Sequence, residues 1–463
     1  MARVDVLKKK EIIDLKIEDL AYGGRGVARY EGKVFFVEDA LPGDSVRISV
    51  TKIKPDYCEG RVIDLLEPSF HRLDPPCRHF DICGGCKWQN YEYDMQLRYK
   101  SEQLLNHLKR IARIETPPVE PIIGARKIYY YRNKMEFSFH RDHDGELLLG
   151  LHRAAHFDKV FNIEKCHLQS ELSNEIVNYI RQEANRLDLP AYHIKEHKGL
   201  LRFLVIKESK FTDEMLVNLV TSDQYSGYED KVIEMGKALS ARFKKIKSLL
   251  WTVNSRKTNI ARWDSFPPGT KNGLLHGRDH MYEKLGRYRF RISADSFFQT
   301  NSYQAQVLFD TIVEYADFNK LDQVGDLYCG TGTIAIYISS FVKNVTGVET
   351  ISRAVDDARF NAEENGVHNV QFIAADVEDA ITEIGKFNKV IIDPPRSGLH
   401  PKALKGILKL KPESIIYVSC NPSTLARDIA LLTEGGYSLE KAIAVDMFPH
   451  TYHIESIARL ILK

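Results

Sequence analysis

At 463 residues the chain is too long for one hydrophobic core, and two to four domains are expected. Hydrophobic residues at 43% and charged residues at 28% are ordinary for a soluble globular protein, and a formal charge of +2 excludes a global basic field for holding nucleic acid. There is no charged-then-apolar leader and no apolar run of about 18 residues, so the expectation is a cytoplasmic protein that does not span a membrane.

Residues 1–66 read as short strands separated by turns. Residues 11–20 alternate, Ala21-Tyr22-Gly23-Gly24-Arg25-Gly26 turns, and strands follow near 34–38, 45–52 and 60–66. The pattern predicts a small β-barrel. Twelve Lys/Arg balance twelve Asp/Glu over residues 1–65, so composition alone does not make this module a nucleic-acid binder.

Pro68 and the Pro75-Pro76 pair lead into a cysteine-rich loop, Cys77-x5-Cys83-Gly-Gly-Cys86. Clustered cysteines in a reducing compartment point to metal ligation or catalysis more than to disulfides. The two glycines allow a tight backbone, and Cys166 is the best remaining candidate for a fourth ligand. Four thiolates suit an iron–sulfur cluster or structural zinc, and the spacing does not choose between them. Unrelated free thiols are the alternative.

Between residues 94 and 114, Leu97, Leu104, Leu105, Leu108 and Ile111 mark one helical face. Residues 98–134 carry nine Lys/Arg against three Asp/Glu, with Tyr129, Tyr130, Tyr131, Phe137 and Phe139 interleaved or following. Basic groups that neutralise phosphate beside aromatic faces that stack bases suit single-stranded RNA. A solvated helix face followed by a half-buried strand explains the pattern equally well. Alternation near 147–151, 201–207, 215–221 and 248–254 predicts a mixed α/β central domain over 67–284.

From residue 285 to 463 the rhythm is strand–helix–strand. Apolar strands are expected at 324–327, 344–348, 370–374, 389–392 and 415–419, giving a mostly parallel, doubly wound sheet. Val324-Gly325-Asp326-Leu327-Tyr328-Cys329-Gly330-Thr331-Gly332-Thr333 spans the first strand and a glycine turn into a helix. Glu349 ends the next strand, where a carboxylate can accept hydrogen bonds from ribose hydroxyls. The dinucleotide pattern G-x-G-x-x-G is absent, which counts against a nicotinamide enzyme. Asp-x-x-x-Gly-x-Gly with a strand-two acid instead resembles a class I S-adenosylmethionine methyltransferase. Asp376, after the third strand, lies near the adenine or simply caps a helix.

Asp393-Pro394-Pro395-Arg396 follows the fourth strand, and its two prolines stiffen the loop around the carboxylate. Enzymes that methylate amino groups usually carry an aromatic at the fourth position; Arg396 turns the reading away from nitrogen methylation. Ser419-Cys420-Asn421-Pro422 follows the fifth strand. A thiol beyond the carboxyl end of a parallel strand faces the ligand crevice and suits nucleophilic catalysis, although a small buried hydrophobe is the bland alternative.

Taken together, these motifs resemble the RNA uracil-5 methyltransferases, which make 5-methyluridine in tRNA or ribosomal RNA. The resemblance covers nearly the whole chain. Ala21–Ala28 and Ala40-Leu41-Pro42-Gly43-Asp44 look like a TRAM domain, an RNA-binding, OB-like barrel; Phe297-Phe298-Gln299-Thr300-Asn301 looks like the segment before the cofactor domain. Asp393–Gly398, Ser419–Pro422 and Ile454-Glu455-Ser456 complete the set. The fold implied is α/β: a barrel at 1–66, a mixed α/β domain with the cluster at 67–284, and a Rossmann-like methyltransferase domain at 285–463. The resemblance implies that Cys77, Cys83, Cys86 and Cys166 hold a [4Fe–4S] cluster, and that Gln299, Tyr328, Glu349 and Asp393 bind S-adenosylmethionine. Cys420 would be the nucleophile and Glu455 the general base, with His450 and His453 as rival bases. Thr333 and Asp376 fall on variable cofactor positions. The partner expected is RNA, ribosomal RNA ahead of position 54 of tRNA, with no obligate protein partner evident. Radical chemistry would want Cys-x3-Cys-x2-Cys, which this chain lacks. A non-catalytic RNA-binding assembly factor is disfavoured by the intact Cys420, Glu455 and Asp393.

Overall fold

The computed structural model describes residues 7–142, 144–154, 156, 158–381 and 385–463. Six strands form the N-terminal sheet: β1 (Ile12–Lys16), β2 (Asp19–Leu20), β3 (Gly26–Tyr30), β4 (Lys33–Glu38), β5 (Ser45–Ile53) and β6 (Tyr57–Glu67). Their order is β1-β5-β6-β4-β3-β2, and alternate residues such as Ile13, Leu15, Phe35, Val37, Val46 and Ile48 fill the inside. Period-two patterning thus decides which face closes the barrel.

After the cysteine loop comes α1 (Tyr93–Arg110), with Gln96, Tyr99, Lys100, Gln103, Leu104 and Leu108 on its buried face. The central sheet comprises β7 (Lys134–Arg141), β8 (Leu147–His152), β9 (Val160–Asn162), β10 (Leu201–Glu208), β11 (Met215–Thr221), β12 (Ile246–Val253) and β13 (Leu274–Gly277). Its order is β13-β12-β11-β10-β7-β8-β9, with α2 (Glu171–Arg186) and α3 (Glu229–Arg242) intervening in sequence. Strands β14 (His280–Leu285) and β15 (Tyr288–Ser293) pair as a hairpin across the expected 284/285 boundary. Met281, Leu285, Tyr288, Phe290 and Ile292 share one core with helix α4 (Ser302–Ala316), so the hairpin packs with the C-terminal part.

The C-terminal sheet contains β16 (Gln323–Leu327), β17 (Asn344–Glu349), β18 (Val370–Ala374), β19 (Lys389–Ile392), β20 (Ser414–Ser419), β21 (Tyr437–Val445) and β22 (Glu455–Leu462). The order β18-β17-β16-β19-β20-β22-β21 is parallel through β20 and antiparallel beyond it. Connecting helices are α5 (Thr333–Ile338), α6 (Ser352–Glu364), α7 (Val377–Ala380), α8 (Pro401–Leu410) and α9 (Pro422–Glu434). Strand β21 was not among the expected strands; its polar Ser438, Glu440 and Lys441 obscure the apolar run that ends it.

The parts are joined by buried polar contacts. Glu283 is fully buried and accepts hydrogen bonds from Ser209 Oγ (2.6 Å), Lys210 N (2.8 Å) and Ser302 Oγ (2.6 Å). Lys207, equally enclosed, donates to the carbonyls of Ser293 and Ser296. A buried ion such as these is tolerated only when partnered. Among the described residues, no helix is long and apolar enough to cross a membrane.

Candidate functional site

The glycine turn follows β16. Tyr328 takes a left-handed conformation (φ 67°), unusual for a bulky residue and characteristic of functional turns. Gly332 (φ 75°) has no room for a side chain, since a Cβ would lie 2.6 Å from Phe372. A Cβ on Gly330 would instead meet open space. Glu349 closes the same corner: its Oε2 accepts from Gly330 N (3.1 Å) and its Oε1 from Ile351 N (2.9 Å). A carboxylate has about four lone-pair sites, so capacity remains for ribose hydroxyls.

The other expected cofactor residues are distributed around that turn. Thr333 opens α5, half-buried, and Thr331 Oγ1 reaches the Phe297 carbonyl at 3.4 Å, tying the turn to the Gln299 segment. Gln299 is held through its backbone carbonyl by Asn133 Nδ2 (2.8 Å), and Asn301 caps α4 through Gln304 N. Asp376 occupies the position before α7, but its carboxylate accepts from Thr350 Oγ1 (3.0 Å) rather than capping the helix. Tyr328 donates a long hydrogen bond to Glu378 Oε1 (3.4 Å).

Asp326 went unassigned from sequence beyond its place in the motif. It is fully buried, neither carboxylate oxygen has a well-formed hydrogen bond, and burial followed by the nearby Asp393 charge raises its pKa to about 8. The Ala335 amide eases the charge only in part. An orphaned buried carboxyl at the head of the turn, together with the open face of Gly330, fits a cationic ligand such as the ammonium and sulfonium groups of S-adenosylmethionine.

Strand pairing explains how Cys420 meets Glu455, 35 positions away. Strand β22 runs antiparallel to β20, with Ser419 opposite Ser456 at the end of the ladder. One further step in that register sets Cys420 against Glu455. Parallel pairing of β19 with β20 brings Asp393 to the same sheet edge. Cys420 is partly exposed, whereas Glu455 is 4% exposed.

The electrostatics of this trio are unfavourable to charge. Burial, then the carboxylates of Glu455 and Asp393, pushes the Cys420 thiol up to about 11; the Arg396 guanidinium, in contact with it, partly offsets this. Burial also lifts Glu455 well above the usual carboxylate range, Asp393 adding to the rise and Arg396 opposing it. Arg396 is therefore the cation of the site, a role missed in the sequence, where it served only to argue against nitrogen methylation. Its loop is stitched to the cysteine turn: Asn421 Nδ2 and Thr424 Oγ1 both donate to the Arg396 carbonyl. Asp428, 1% exposed, accepts from Leu399 N and the Tyr417 hydroxyl and pairs with Arg427, which makes it a brace for this loop.

The rival histidines are poorly suited to proton removal. Burial drives both His450 and His453 down to about 4, leaving weak bases. His450 is also locked, stacked on Tyr129 at 4.4 Å, with its Nδ1 3.3 Å from Gln96 Nε2.

Cys77, Cys83, Cys86 and Cys166 line one cavity of about 330 Å³, together with Gln89, Arg132 and Thr300. Gly85 N points at Cys83 Sγ (3.3 Å) and Gln89 Nε2 at Cys86 Sγ (3.1 Å), donors placed for thiolates. As free thiols they are held protonated: burial raises Cys83 to about 11 and Cys86 to about 12, with Cys77 and Cys166 shifted the same way. A bound metal centre would reverse that preference. Among the described residues, no three or more His, Cys, Asp or Glu side chains are grouped closely enough to hold a metal ion.

Comparison with known proteins places the chain. The tRNA (uracil-5-)-methyltransferase family model matches residues 92–463, and the TRAM domain model matches residues 7–63. Cys77, Cys83 and Cys86 fall between the two matches. An uncharacterised RNA methyltransferase of Oceanobacillus iheyensis is 36% identical over 461 residues, covering 99% of this chain and 98% of its own. One from Caldanaerobacter subterraneus is 39% identical over 458 residues, with 98% and 99% covered. The crystal structure of Pyrococcus abyssi tRNA (uracil-54, C5)-methyltransferase, in complex with S-adenosyl-L-homocysteine, superposes with a TM-score of 0.76 at 30% identity, covering 97% of this chain and all of that one. With a TRAM barrel, a Rossmann-like sheet and a family match over most of its length, this chain belongs to the RNA uracil-5 methyltransferases.

Proposed function

We propose that the protein methylates carbon 5 of a uridine in structured RNA, with 23S ribosomal RNA as the substrate. The observation that carries the chemistry is Cys420 set against Glu455 across the β20–β22 ladder, beside Arg396 and Asp393. Carbon 5 of uracil is too weak a nucleophile to take a methyl group unaided. Attack of the Cys420 thiolate on carbon 6 forms a C–S bond and moves the electron pair of the 5,6 double bond into an enolate. Carbon 5 then takes the methyl group from S-adenosylmethionine, whose sulfonium leaves as a thioether. Glu455 removes the remaining carbon-5 proton, the double bond re-forms, and Cys420 departs.

Arg396 has two tasks in this sequence. It favours the Cys420 thiolate, and it lowers the cost of ionising Glu455. The coupling between Cys420 and Glu455 orders the steps: two anions side by side are disfavoured, and forming the thioether removes one of them. Glu455 therefore ionises more readily after addition than before it. The target base must leave its stack to reach Cys420.

Ribosomal RNA is supported by the four-cysteine set, Cys77, Cys83, Cys86 and Cys166, gathered around one cavity. Position 54 of tRNA is the second reading, because the Pyrococcus enzyme of that specificity has the same extent as this chain. Mapping 5-methyluridine in RNA from cells with and without the gene tests both. The expected result is loss of the modification from 23S RNA alone; loss at tRNA position 54 would replace the substrate, and no loss would refute the function.

Cys77, Cys83, Cys86 and Cys166 are proposed to hold a [4Fe–4S] cluster. Thiolates on one zinc, at about 2.3 Å from it, crowd to roughly 3.8 Å from each other, whereas a cluster spreads its ligands around a larger centre. The cavity that the four cysteines line together gives room for the wider arrangement. The cluster would hold the loop, since the methyl transfer requires no electron. Anaerobically purified protein should contain about four iron and four sulfide per chain; one zinc without sulfide would overturn the assignment.

A further inference from the structure

The segment that carries Glu455, residues 446–455, is gripped from two sides. From the cysteine-bearing region, Lys87 N and Trp88 N donate to the His450 carbonyl (2.9 and 3.1 Å), and Gln96 Oε1 accepts from His450 N (2.9 Å). Below them, Lys100 and Asp446, both fully buried, form an ion pair at 2.6 Å, and Tyr93 donates to the same carboxylate. The second grip belongs to the N-terminal barrel. Its turn at Gly23 and Gly24, both left-handed, pushes Tyr22 out of the barrel and into the methyltransferase part. The Tyr22 ring meets Tyr452 edge-on at 5.9 Å (84°) and His107 of α1 at 5.8 Å (78°). Tyr452 in turn packs on His453 at 4.4 Å, two residues before Glu455. A side chain at Gly24 would crowd Trp88 Nε1 (3.3 Å) and touch Tyr452 Cβ (3.6 Å), so the turn lies against both neighbours at once.

We propose that the barrel takes part in the chemistry: Tyr22, acting through Tyr452, is a positioning residue that holds the Glu455 segment at the catalytic cysteine. This inference rests on the proposed role of Glu455 as the base. The proximity is also electrostatic, since the Tyr22 hydroxyl senses the charges of Cys420, Arg396 and Glu455 after the larger effect of burial. A barrel that served only to hold RNA would have no reason to place a ring here. Edge-on contact is a property of the ring and not of the hydroxyl, so phenylalanine should replace it.

The experiment is steady-state methylation of total RNA from cells lacking the gene, with wild type, Y22A, Y22F and Y22L, and denaturing gels to detect covalent RNA–protein adduct. Melting curves select the folded variants, and Y22L, which keeps most of the volume, stands in if Y22A does not fold. Y22A is expected to lower kcat by roughly tenfold to a hundredfold, with KM for RNA falling alongside it because the slowed step follows covalent capture of the RNA; a small displacement of a reacting group is that costly. The adduct should accumulate, as the step that uses Glu455 is the one slowed, and Y22F should restore wild-type turnover. In a double-mutant cycle with Y452A the two losses should not add. A rise in KM with unchanged kcat, or additive losses, would overturn the proposal and leave the barrel an affinity module. Those results would leave the uridine chemistry standing, whereas wild-type protein that makes no 5-methyluridine would remove the parent reading instead.

Discussion

Cys420→Ala is expected to abolish methyl transfer, with a loss on the order of ten-thousand-fold or more and no covalent RNA adduct at any time point. The substitution removes the only atom proposed to bond carbon 6, and no neighbouring group can replace it. Asp393 and Glu455 are carboxyls, and the histidines of the preceding loop are weak bases. Stability should change little, because Cys420 is partly exposed at a strand end and the removed sulfur is small. A folded Cys420→Ala protein that still methylates would refute covalent catalysis. The pH profile gives a companion measurement. Burial and the two adjacent carboxylates put the Cys420 thiol at about 11, so below that value the thiolate is the minor form and its fraction grows with pH. Glu455 is shifted in the same direction and must also lose its proton. The thiolate requirement makes kcat/KM rise through the neutral range, whereas the Glu455 requirement follows methyl transfer and bears on kcat; a decline of kcat/KM from pH 6 to 8 would contradict the assignment.

Glu455→Gln should separate the first half of the reaction from the second. Glutamine matches the shape of glutamate but cannot accept the carbon-5 proton, so addition and methylation proceed while elimination stalls. The methylated adduct is expected to accumulate and turnover to fall about 10²–10⁴-fold, or roughly 3–5 kcal/mol of barrier. Replacing a buried carboxyl that is difficult to ionise by a neutral amide also removes an electrostatic burden from Cys420. Adduct formation in Glu455→Gln should therefore be as fast as in wild type or faster. Prompt product release from this variant would move the role of base to another group. His453 would then be the next to test, despite a pKa near 4 that makes it a poor proton acceptor at neutral pH.

The contrast between Arg396 and Glu455 shows where sequence reading succeeds. Glu455 is legible through the motif Ile454-Glu455-Ser456, since nothing local distinguishes it from a surface carboxylate at the start of the terminal strand. Its burial and its register opposite Cys420 arise from a return strand that crosses about 35 residues. Arg396 lay within a recognised motif, yet its function depends on which charges surround it, and those arrive from β20 and β22. Asp428 was indistinguishable from a helix-surface charge until the fold buried it beneath Leu399 N and the Tyr417 hydroxyl.

By itself the sequence determined the elements and the chemistry of the motifs. Strand and helix periodicities located the parallel strands from β16 to β20 and helix α1, because local burial patterning follows backbone geometry. The glycine turn with Glu349 marked the cofactor end, and Cys420 stood at a strand terminus. Only the tertiary structure decided that Cys420 and Glu455 face each other, that Arg396 is the cation acting on both, and that Cys166 joins the three clustered cysteines around one cavity. It also decided that Tyr22, read as part of a remote barrel turn, packs on the segment bearing Glu455. The reason is common to all four: periodicity reports which face of an element is buried, whereas proximity between distant residues follows from strand order, register and the docking of separately folded layers.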